Sequence, residues 1–236
     1  MGLVSGKTAS QDSGLTPKYS VLGAGTGYEV RAYEPYVVAE VQGGPEAGPE
    51  DDRFRTLAKY IGVFGNPENK AAGGETPEAI SMTAPVVVGS PSPDPGTKIS
   101  MTAPVVVTPE AASTMQFIMP TAFKSVRDLP TPTDKRVSLR EVPERLYLVR
   151  RFSGNMGSAS SHDAAVEQQR TIAEEGTKTD GGAFSGYVTI DSKLLVARYN
   201  PPWTLPFLKT NELWFPLPLS ADEAIAKLPS AATEST

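Results

Sequence analysis

A nine-residue segment occurs twice in this chain without a change, at residues 80–88 and again at residues 99–107. Each copy reads Ile-Ser-Met-Thr-Ala-Pro-Val-Val-Val, and its β-branched residues favour strands. Because proline cannot donate a hydrogen bond to a neighbouring strand, each copy should lie at a sheet edge or pair only after Pro85 or Pro104. Residues 89–96, between the copies, are dense in turn formers. The repeat therefore predicts two adjacent strands made by local duplication, and two copies alone do not predict an extended repeat array.

The composition limits the classes of protein to which the chain can belong. With 236 residues, one domain with a sizeable core is the simplest organisation. Its 22 prolines and 21 glycines divide it into short segments, which is typical of an antiparallel β fold. A net charge of −5 argues against a nucleic-acid-binding surface, and no apolar run approaches the roughly 20 residues that span a bilayer. The absence of cysteine excludes disulfides and thiolate chemistry.

Three glycines near the start, Gly23, Gly25 and Gly27, have a spacing that superficially suggests a dinucleotide-binding loop. Such a loop needs a strand before it and a helix after it. Here strands are predicted on both sides, over residues 18–22 and 28–42. The glycines are therefore interpreted as a turn.

Residues 50–62 are predicted to form the first helix, which begins with three acidic residues and ends at Gly62. Its candidate site residues are Arg53, Phe54, Arg55, Leu57, Ala58, Lys59 and Ile61. The four apolar members follow the spacing i, i+3, i+4, i+7 of one helix face. Arg55 and Lys59 share one flank of that face, and Arg53 lies on the other. This arrangement suits a flat apolar ligand with carboxylates on one edge; the alternative is an amphipathic helix that packs on a sheet while its charges are solvated.

The remaining elements are predicted from alternation, helical spacing and turn residues. They are a strand at 115–119, a hairpin of 137–142 and 146–152 around Pro143 and Glu144, a helix at 158–175 stopped by Gly176, strands at 187–190, 194–199 and 211–217, and a weak helix at 221–228. The order strands, helix, strands occurs twice, which predicts an α+β fold of two similar β-α-β halves. We expect residues 1–17 to form a flexible arm, residues 18–217 the domain and residues 218–236 a tail.

Catalytic and metal-binding residues are not predicted. Ser161, His162 and Asp163 share letters with a catalytic triad, but neighbours on a helix point about 100° apart and cannot align as nucleophile, base and orienting acid. His162 is the only histidine of the chain. A lone histidine is more often a packed or capping residue than a ligand, so His162 is kept only as an alternative axial ligand for a metal.

A set of motifs places the chain beside a known family. In order, they are Tyr28-Glu-Val-Arg-Ala-Tyr33, Leu57-Ala-Lys-Tyr-Ile-Gly62, the two Met-Thr-Ala-Pro-Val copies, Met115-Gln-Phe-Ile-Met-Pro120, Leu129-Pro-Thr-Pro-Thr-Asp134, Arg151-Phe-Ser-Gly154, Ala197-Arg-Tyr-Asn-Pro-Pro-Trp-Thr-Leu-Pro-Phe207 and Asn211-Glu-Leu-Trp214. In this order and spacing the chain resembles the SOUL/haem-binding protein family over about residues 18–217. It looks most like the cytosolic plant and algal tetrapyrrole-binding members. The resemblance implies a distorted antiparallel β-barrel with two helices on its outside.

The resemblance also implies reversible binding of haem or protoporphyrin IX in a shallow apolar cleft with basic residues at its rim. One wall would be the first helix, and the other would be the loop that carries Tyr199, Trp203, Leu205 and Phe207 and is stiffened by prolines. The implied role is a non-enzymatic carrier or buffer in the cytoplasm, with the plastid as the alternative compartment, no nucleic-acid partner and no membrane span. Two other functions stay open: an enzyme that modifies the tetrapyrrole or releases its iron, and a protein-interaction module.

Overall fold

The structure is a computed structural model that describes residues 16–43, 50–89, 114–156, 159–189, 194–200 and 204–229. The second nonapeptide at residues 99–107, most of the predicted N-terminal arm, and Trp203 lie outside the described residues. His162 belongs to a described helix, but its side chain is not part of the description. None of the described helices combines the length and the apolar character that crossing a bilayer requires.

The described chain forms eleven strands and three helices. In chain order they are β1 Tyr19–Gly25, β2 Tyr28–Tyr33, β3 Tyr36–Gln42, α1 Glu50–Ile61, β4 Asn69–Lys70, β5 Val86–Gly89, β6 Thr114–Ile118, β7 Thr131–Pro132, β8 Val137–Val142, β9 Arg145–Ser153, α2 Ala159–Thr179, β10 Leu195–Arg198, β11 Thr210–Leu217 and α3 Ala221–Lys227. Short 3-10 turns lie at Val126–Asp128, Ser185–Tyr187 and Pro206–Leu208.

Nine of these strands form one antiparallel sheet that curls into a half-barrel. Its spatial order is β1-β2-β9-β11-β10-β5-β6-β3-β8, while β4 and β7 pair separately. α1 packs on β3, β6 and β8, and α2 packs on β9 and β11. The predicted α+β class, with two helices flanking a curved antiparallel sheet, is confirmed.

The two halves of the sheet are related by a palindromic strand order. Apart from the two-residue strands and the edge strand β1, the first half runs β2-β3-α1-β5-β6 along the chain and the second half runs β8-β9-α2-β10-β11. β5 and β10 meet at the centre, followed outward by β6 and β11, by β3 and β9, and finally by β8 and β2. The first strand of each half therefore pairs with the other half, which joins two similar units into one sheet.

Two predictions about strand pairing are wrong. The predicted hairpin of residues 137–142 and 146–152 does not form, because β8 pairs with β3 whereas β9 pairs with β2 and β11. The predicted single strand over residues 28–42 is divided into β2 and β3, which lie on opposite sides of the central pair of strands, β5 and β10. Pro35 falls between them and cannot continue a hydrogen-bonded ladder. Alternation identifies a strand, but it does not identify the partners of that strand.

Two further boundaries differ from the predictions. α2 continues through Gly176 to Thr179, so Gly176 is not its stop. A β-carbon on Gly176 would lie 2.0 Å from the carbonyl oxygen of Thr26, which shows that glycine permits close approach of the helix to the turn between β1 and β2. The described residues of the predicted strand at 187–190 form no strand, and Tyr187 ends a 3-10 turn.

The first nonapeptide supplies β5, which begins at Val86 directly after Pro85. This confirms, for the first copy, the prediction that pairing starts after its proline. β5 pairs with β10 along one edge and with β6 along the other. Described strands therefore occupy both edges of β5. The second copy was predicted to pair with the first, but Val86–Gly89 offers it no free edge.

Apolar side chains pack on both faces of the sheet. On the outer face, Val88 belongs to the cluster beneath α1 and Val196 belongs to the cluster beneath α2. These two valines are directly paired across β5 and β10, so both helices lie on the same face. The inner face of the half-barrel carries a third cluster, whose largest members are Tyr33, Tyr147 and Trp214.

Candidate ligand-binding surface

The apolar face of α1 packs on the sheet. Leu57 and Ala58 are fully buried and Ile61 is 2% exposed, so these residues leave no surface for a ligand. Phe54 is half-buried and lies edge-on against Phe117 of β6, with the ring centroids 5.4 Å apart. Among the four apolar residues predicted on this face, Phe54 is the one that presents apolar surface to the outside.

The buried side of α1 is wider than the predicted apolar stripe. Thr56 and Tyr60 are also buried, and the hydroxyl of Tyr60 donates to the carbonyl of Pro130 at 2.8 Å. Arg53 is 4% exposed and therefore does not lie at an exposed rim. Arg53 and Tyr60 are seven residues apart and share a helix face, which was the signal in the sequence for the burial of Arg53.

Arg55 and Lys59 are exposed on the opposite flank of α1. Lys59 Nζ lies 3.2 Å from Glu68 Oε1, and both side chains are about half exposed. The pKa of Asp134, in the turn before β8, is lowered chiefly by its hydrogen bond from Arg136 and also by the charge of Lys59. Exposed ion pairs contribute about 0–1 kcal/mol, so Lys59 can exchange its partner for a ligand carboxylate.

The second predicted wall ends in an exposed apolar turn. Pro206–Leu208 form a 3-10 turn in which the N–H of Leu208 donates to the carbonyl of Leu205 at 2.9 Å. Leu205, Phe207 and Leu208 are 55%, 71% and 59% exposed, and we call these three residues the apolar turn. In the part of the chain that the structure describes, no other turn exposes three large apolar side chains. The apolar turn contacts β9.

Tyr199, predicted on the same wall, directs its hydroxyl into the half-barrel. The hydroxyl donates to Glu212 Oε2 at 2.7 Å, and the ring packs on the inner cluster that contains Trp214. Trp214 Nε1 donates to the same oxygen at 2.7 Å, and Arg31 Nη1 donates to Glu212 Oε1 at 3.0 Å. Burial raises the pKa of Tyr199 well above its ordinary value, and the charge of Glu212 raises it further. Tyr199 thus holds the base of the loop from inside.

Arg31 and Glu212 are residues whose importance the sequence analysis missed. They are 2% and 3% exposed, and both lie within quoted family motifs. Each stands in a strand whose other residues are largely apolar or aromatic. A charged residue in a buried strand needs a partner of opposite charge. The position of Arg31 and Glu212 among apolar residues was therefore the feature of the sequence that could have indicated a buried ion pair.

Between the two helices, the outer face of the central strands is only partly covered. α1 and α2 lie over different halves of the sheet, with β5 and β10 between them. Val88 and Val196 are buried at one end of this pair, whereas Val86 and Arg198, paired at the other end, are half-buried. Phe152 of β9 is half-buried on the same face. We call Val86, Phe152 and Arg198 the interhelical floor. Arg198 is two residues after Val196 in β10, and because side chains alternate along a strand, both lie on the outer face.

The described contacts do not bring the two predicted walls together. α1 lies on β3, β6 and β8, the apolar turn lies on β9, and the interhelical floor lies between them. Trp203 and the side chain of His162 lie outside the described part of the structure. Among the described residues, no group of three histidine or acidic side chains is arranged to hold a metal ion.

Sequence comparison decides the family. The profile of the family described as "SOUL heme-binding protein" matches residues 15–95 and 89–216. The chain belongs to the SOUL heme-binding protein family. The two matches cover both halves of the sheet, and they overlap in the segment between the two nonapeptides. No protein of curated function matches the chain.

Several solved structures have a distant similarity to this SOUL domain. An uncharacterized conserved protein from Listeria innocua is 15% identical, with a TM-score of 0.47 over 81% of this chain and 92% of that one. A hydrolase from Listeria innocua is 13% identical, with a TM-score of 0.45 over 87% of this chain and 95% of that one. The C-terminal domain of EcmrR is 11% identical, with a TM-score of 0.39 over 80% of this chain and 95% of that domain. Similarities of this degree carry no argument about the ligand or the activity of this chain.

Proposed function

We propose that this SOUL domain binds haem and related tetrapyrroles reversibly, as a carrier or buffer that catalyses no reaction on them. The observation that carries the proposal is the family match across residues 15–95 and 89–216. Membership in the family supports binding of a tetrapyrrole in general. The carrier role is a more specific proposal. The compartment we propose is the cytosol, with the plastid as the alternative.

The exposed apolar groups fit a flat apolar macrocycle. Leu205, Phe207 and Leu208 are exposed by more than half, so covering them with a ligand removes apolar area from water at about 25 cal/mol per Å². We propose that the macrocycle lies across the interhelical floor, against the apolar turn on one side and Phe54 on the other. Trp203 precedes the apolar turn by two residues in the chain and is proposed as a further aromatic contact.

We propose three cations as partners for the carboxylates of the ligand. Arg198 belongs to the interhelical floor, and Arg55 and Lys59 lie on the exposed flank of α1. Arginine and lysine form charge-assisted hydrogen bonds with carboxylates, which are stronger than bonds between neutral groups. Leu57, Ala58 and Ile61 support the site from below by fixing α1 on the sheet, since they are themselves buried. Arg53, which is buried, and Tyr199, which is half-buried, are proposed to act in the same way.

The test is a titration of the purified protein with haem, protoporphyrin IX and Mg-protoporphyrin IX, followed by absorbance and tryptophan quenching. Phe207→Ser should weaken binding about tenfold to a hundredfold, because most of the apolar contact of one phenylalanine is lost. The matched control is Phe64→Ser: Phe64 is 63% exposed, follows α1 and lies outside the proposed site. Equal losses in both variants, or no binding by the wild type, would reject the proposal. Loss of the Soret band with product formation under reductant would favour the enzymatic alternative.

A further inference from the structure

A buried network of charged and polar groups fills one end of the inner face of the half-barrel. Glu212 accepts hydrogen bonds from Arg31, Tyr199 and Trp214 at 2.7–3.0 Å. Arg31 also donates to the hydroxyl of Tyr33 at 3.2 Å and to Glu29 at 2.7 Å. The guanidinium of Arg31 lies 4.4 Å above the centre of the Tyr19 ring. A charge pair buried this deeply is retained only where its remaining donors and acceptors are satisfied, and here they are shared among aromatic side chains.

One member of this network connects the interior with the surface loop. Tyr199 directly follows β10, and its N–H donates to the carbonyl of Thr210 at 3.1 Å. The N–H of Thr210 donates in return to Asn200 Oδ1 at 2.6 Å. These two bonds close the base of the loop that leads to the apolar turn. Below the base, the hydroxyl of Tyr199 is fixed on Glu212, so the orientation of the loop base depends on a carboxylate inside the half-barrel.

The apolar turn needs such a fixed base because its own side chains do not pack into the core. Leu205, Phe207 and Leu208 are all more than half exposed. Within the described residues, the turn is held by the N–H groups of Leu208 and Lys209, which donate to the carbonyls of Leu205 and Pro206, and by the bond from Lys209 Nζ to Asn155 at 2.8 Å. A pre-formed ligand wall loses less conformational entropy on binding than a mobile one.

We infer that Glu212 is a positioning residue for the ligand wall and that it acts through the hydroxyl of Tyr199. The carboxylate does not touch the ligand. It uses one oxygen to neutralise Arg31 and the other to hold Tyr199 and Trp214, and Tyr199 transmits this fixed geometry to the base of the loop. The inference rests on the proposed function, because it names how the proposed ligand wall is kept in place.

The chain offers a matched pair of substitutions for the test. Tyr199→Phe removes the hydroxyl that links Glu212 to the loop. Tyr33→Phe removes a hydroxyl from the same network on β2, away from the loop. Glu212→Gln is less suitable, because it leaves the buried charge of Arg31 without its counter-ion. Tyr199→Phe should weaken protoporphyrin IX binding about threefold to tenfold, the range that one hydrogen bond supplies, and Tyr33→Phe less than twofold.

A double-substitution cycle with Phe207→Ser separates positioning from general stability. If Tyr199 acts through the apolar turn, then Tyr199→Phe should add little to the loss already caused by Phe207→Ser. Additive losses, or equal losses in Tyr199→Phe and Tyr33→Phe, would overturn the inference. Hydrogen exchange of the Leu208 and Lys209 amides gives a readout without ligand: it should quicken in Tyr199→Phe and stay unchanged in Tyr33→Phe. The exchange result therefore tests the positioning role even when the wild type binds no porphyrin, which would reject the proposed function alone.

Discussion

Gly89 at the end of β5 lies so close to β10 that a β-carbon on it would stand 2.4 Å from Leu195 Cδ2. The same β-carbon would lie 2.8 Å from the carbonyl oxygen of Leu194, which cannot move away as easily as a side chain. Gly89 is the residue directly after the first nonapeptide, whereas Thr108 directly follows the second. The identical copies thus differ in the residue that follows them, and glycine is the one that fits the place beside Leu195.

The first prediction concerns a chain with one copy. Deleting residues 82–100 joins Ser81 to Met101 and puts Thr108 in the position of Gly89. We expect this variant to fold but to lose about 1–3 kcal/mol of stability through overpacking beside Leu195. Adding Thr108→Gly to the deletion should restore most of that loss. Urea unfolding followed by circular dichroism measures both; equal stability of the two deletion variants would contradict the steric argument.

The second prediction concerns the metal of the ligand. Because the chain has one histidine and no cysteine, strong axial ligands for iron are scarce, and metal-free protoporphyrin IX should bind within about tenfold of haem, or about 1.4 kcal/mol. His162→Ala should leave most of the haem affinity and the Soret shift intact. Haem binding a hundredfold tighter than the free porphyrin, or loss of the Soret shift in His162→Ala, would show that an axial ligand determines affinity.

The third prediction separates the cations of the proposed site. Replacing Arg55 and Lys59 together by alanine should weaken binding of the free-acid porphyrin by about 1–3 kcal/mol, because hydrogen bonds to charged groups contribute about that much. The fold should survive, since both side chains are exposed and the bond from Lys59 to Glu68 lies at the surface. Titration of a porphyrin dimethyl ester is the control and should show no difference. If Arg198→Gln alone produces the whole loss, the carboxylates lie on the interhelical floor and not at α1.

The fourth prediction concerns the contact between α2 and the turn before β2. Thr26 donates to Asp180 from both its N–H and its hydroxyl at 2.7 Å. Burial alone raises the pKa of Asp180, but these hydrogen bonds outweigh burial and the pKa is lowered from its ordinary value of 3.8. The carboxyl of Asp180 has its ordinary pKa of 3.8 in the unfolded chain and a lower pKa in the folded protein. The ionised carboxylate therefore stabilises the fold fully above pH 3.8, and this stabilisation is lost as the pH falls through the pKa of the folded state.

Asp180→Asn should therefore cost about 1 kcal/mol of unfolding free energy at pH 7, and the difference from the wild type should shrink as the solution is acidified. Urea midpoints at pH 7 and in steps below pH 4 give the comparison. Thr26→Val is the matched control, because it removes one donor but leaves the titrating group. A cost of Asp180→Asn that stays constant over this range would contradict a role for the charge.

Local pattern was sufficient to locate most elements of the fold. The spacing of apolar residues and Gly62 predicted α1 to within one residue, and the alternation in residues 194–199 and 211–217 predicted β10 and β11. The start of β5 followed from Pro85, because proline has no N–H to donate. These features depend on interactions within about one turn or one strand, which are written directly in the order of the residues.

The sequence alone therefore determined the positions of the helices, most of the strand segments and the resemblance to the SOUL family, whereas Gly23 and Gly25, predicted to form a turn, lie within β1. The tertiary structure decided which strands pair, and through pairing it decided what each side chain meets. Arg53 lies in the core and not at a rim, and Gly176 lies within α2 because the turn at Thr26 approaches it. Glu212 is a central residue because β2 and β11, which lie on either side of β9, bring Arg31 to within 3.0 Å of it on the inner face of the half-barrel. Arg31 and Glu212 are 181 residues apart, so no local sequence pattern indicates that they are in contact. Their contact depends on the packing of the whole sheet.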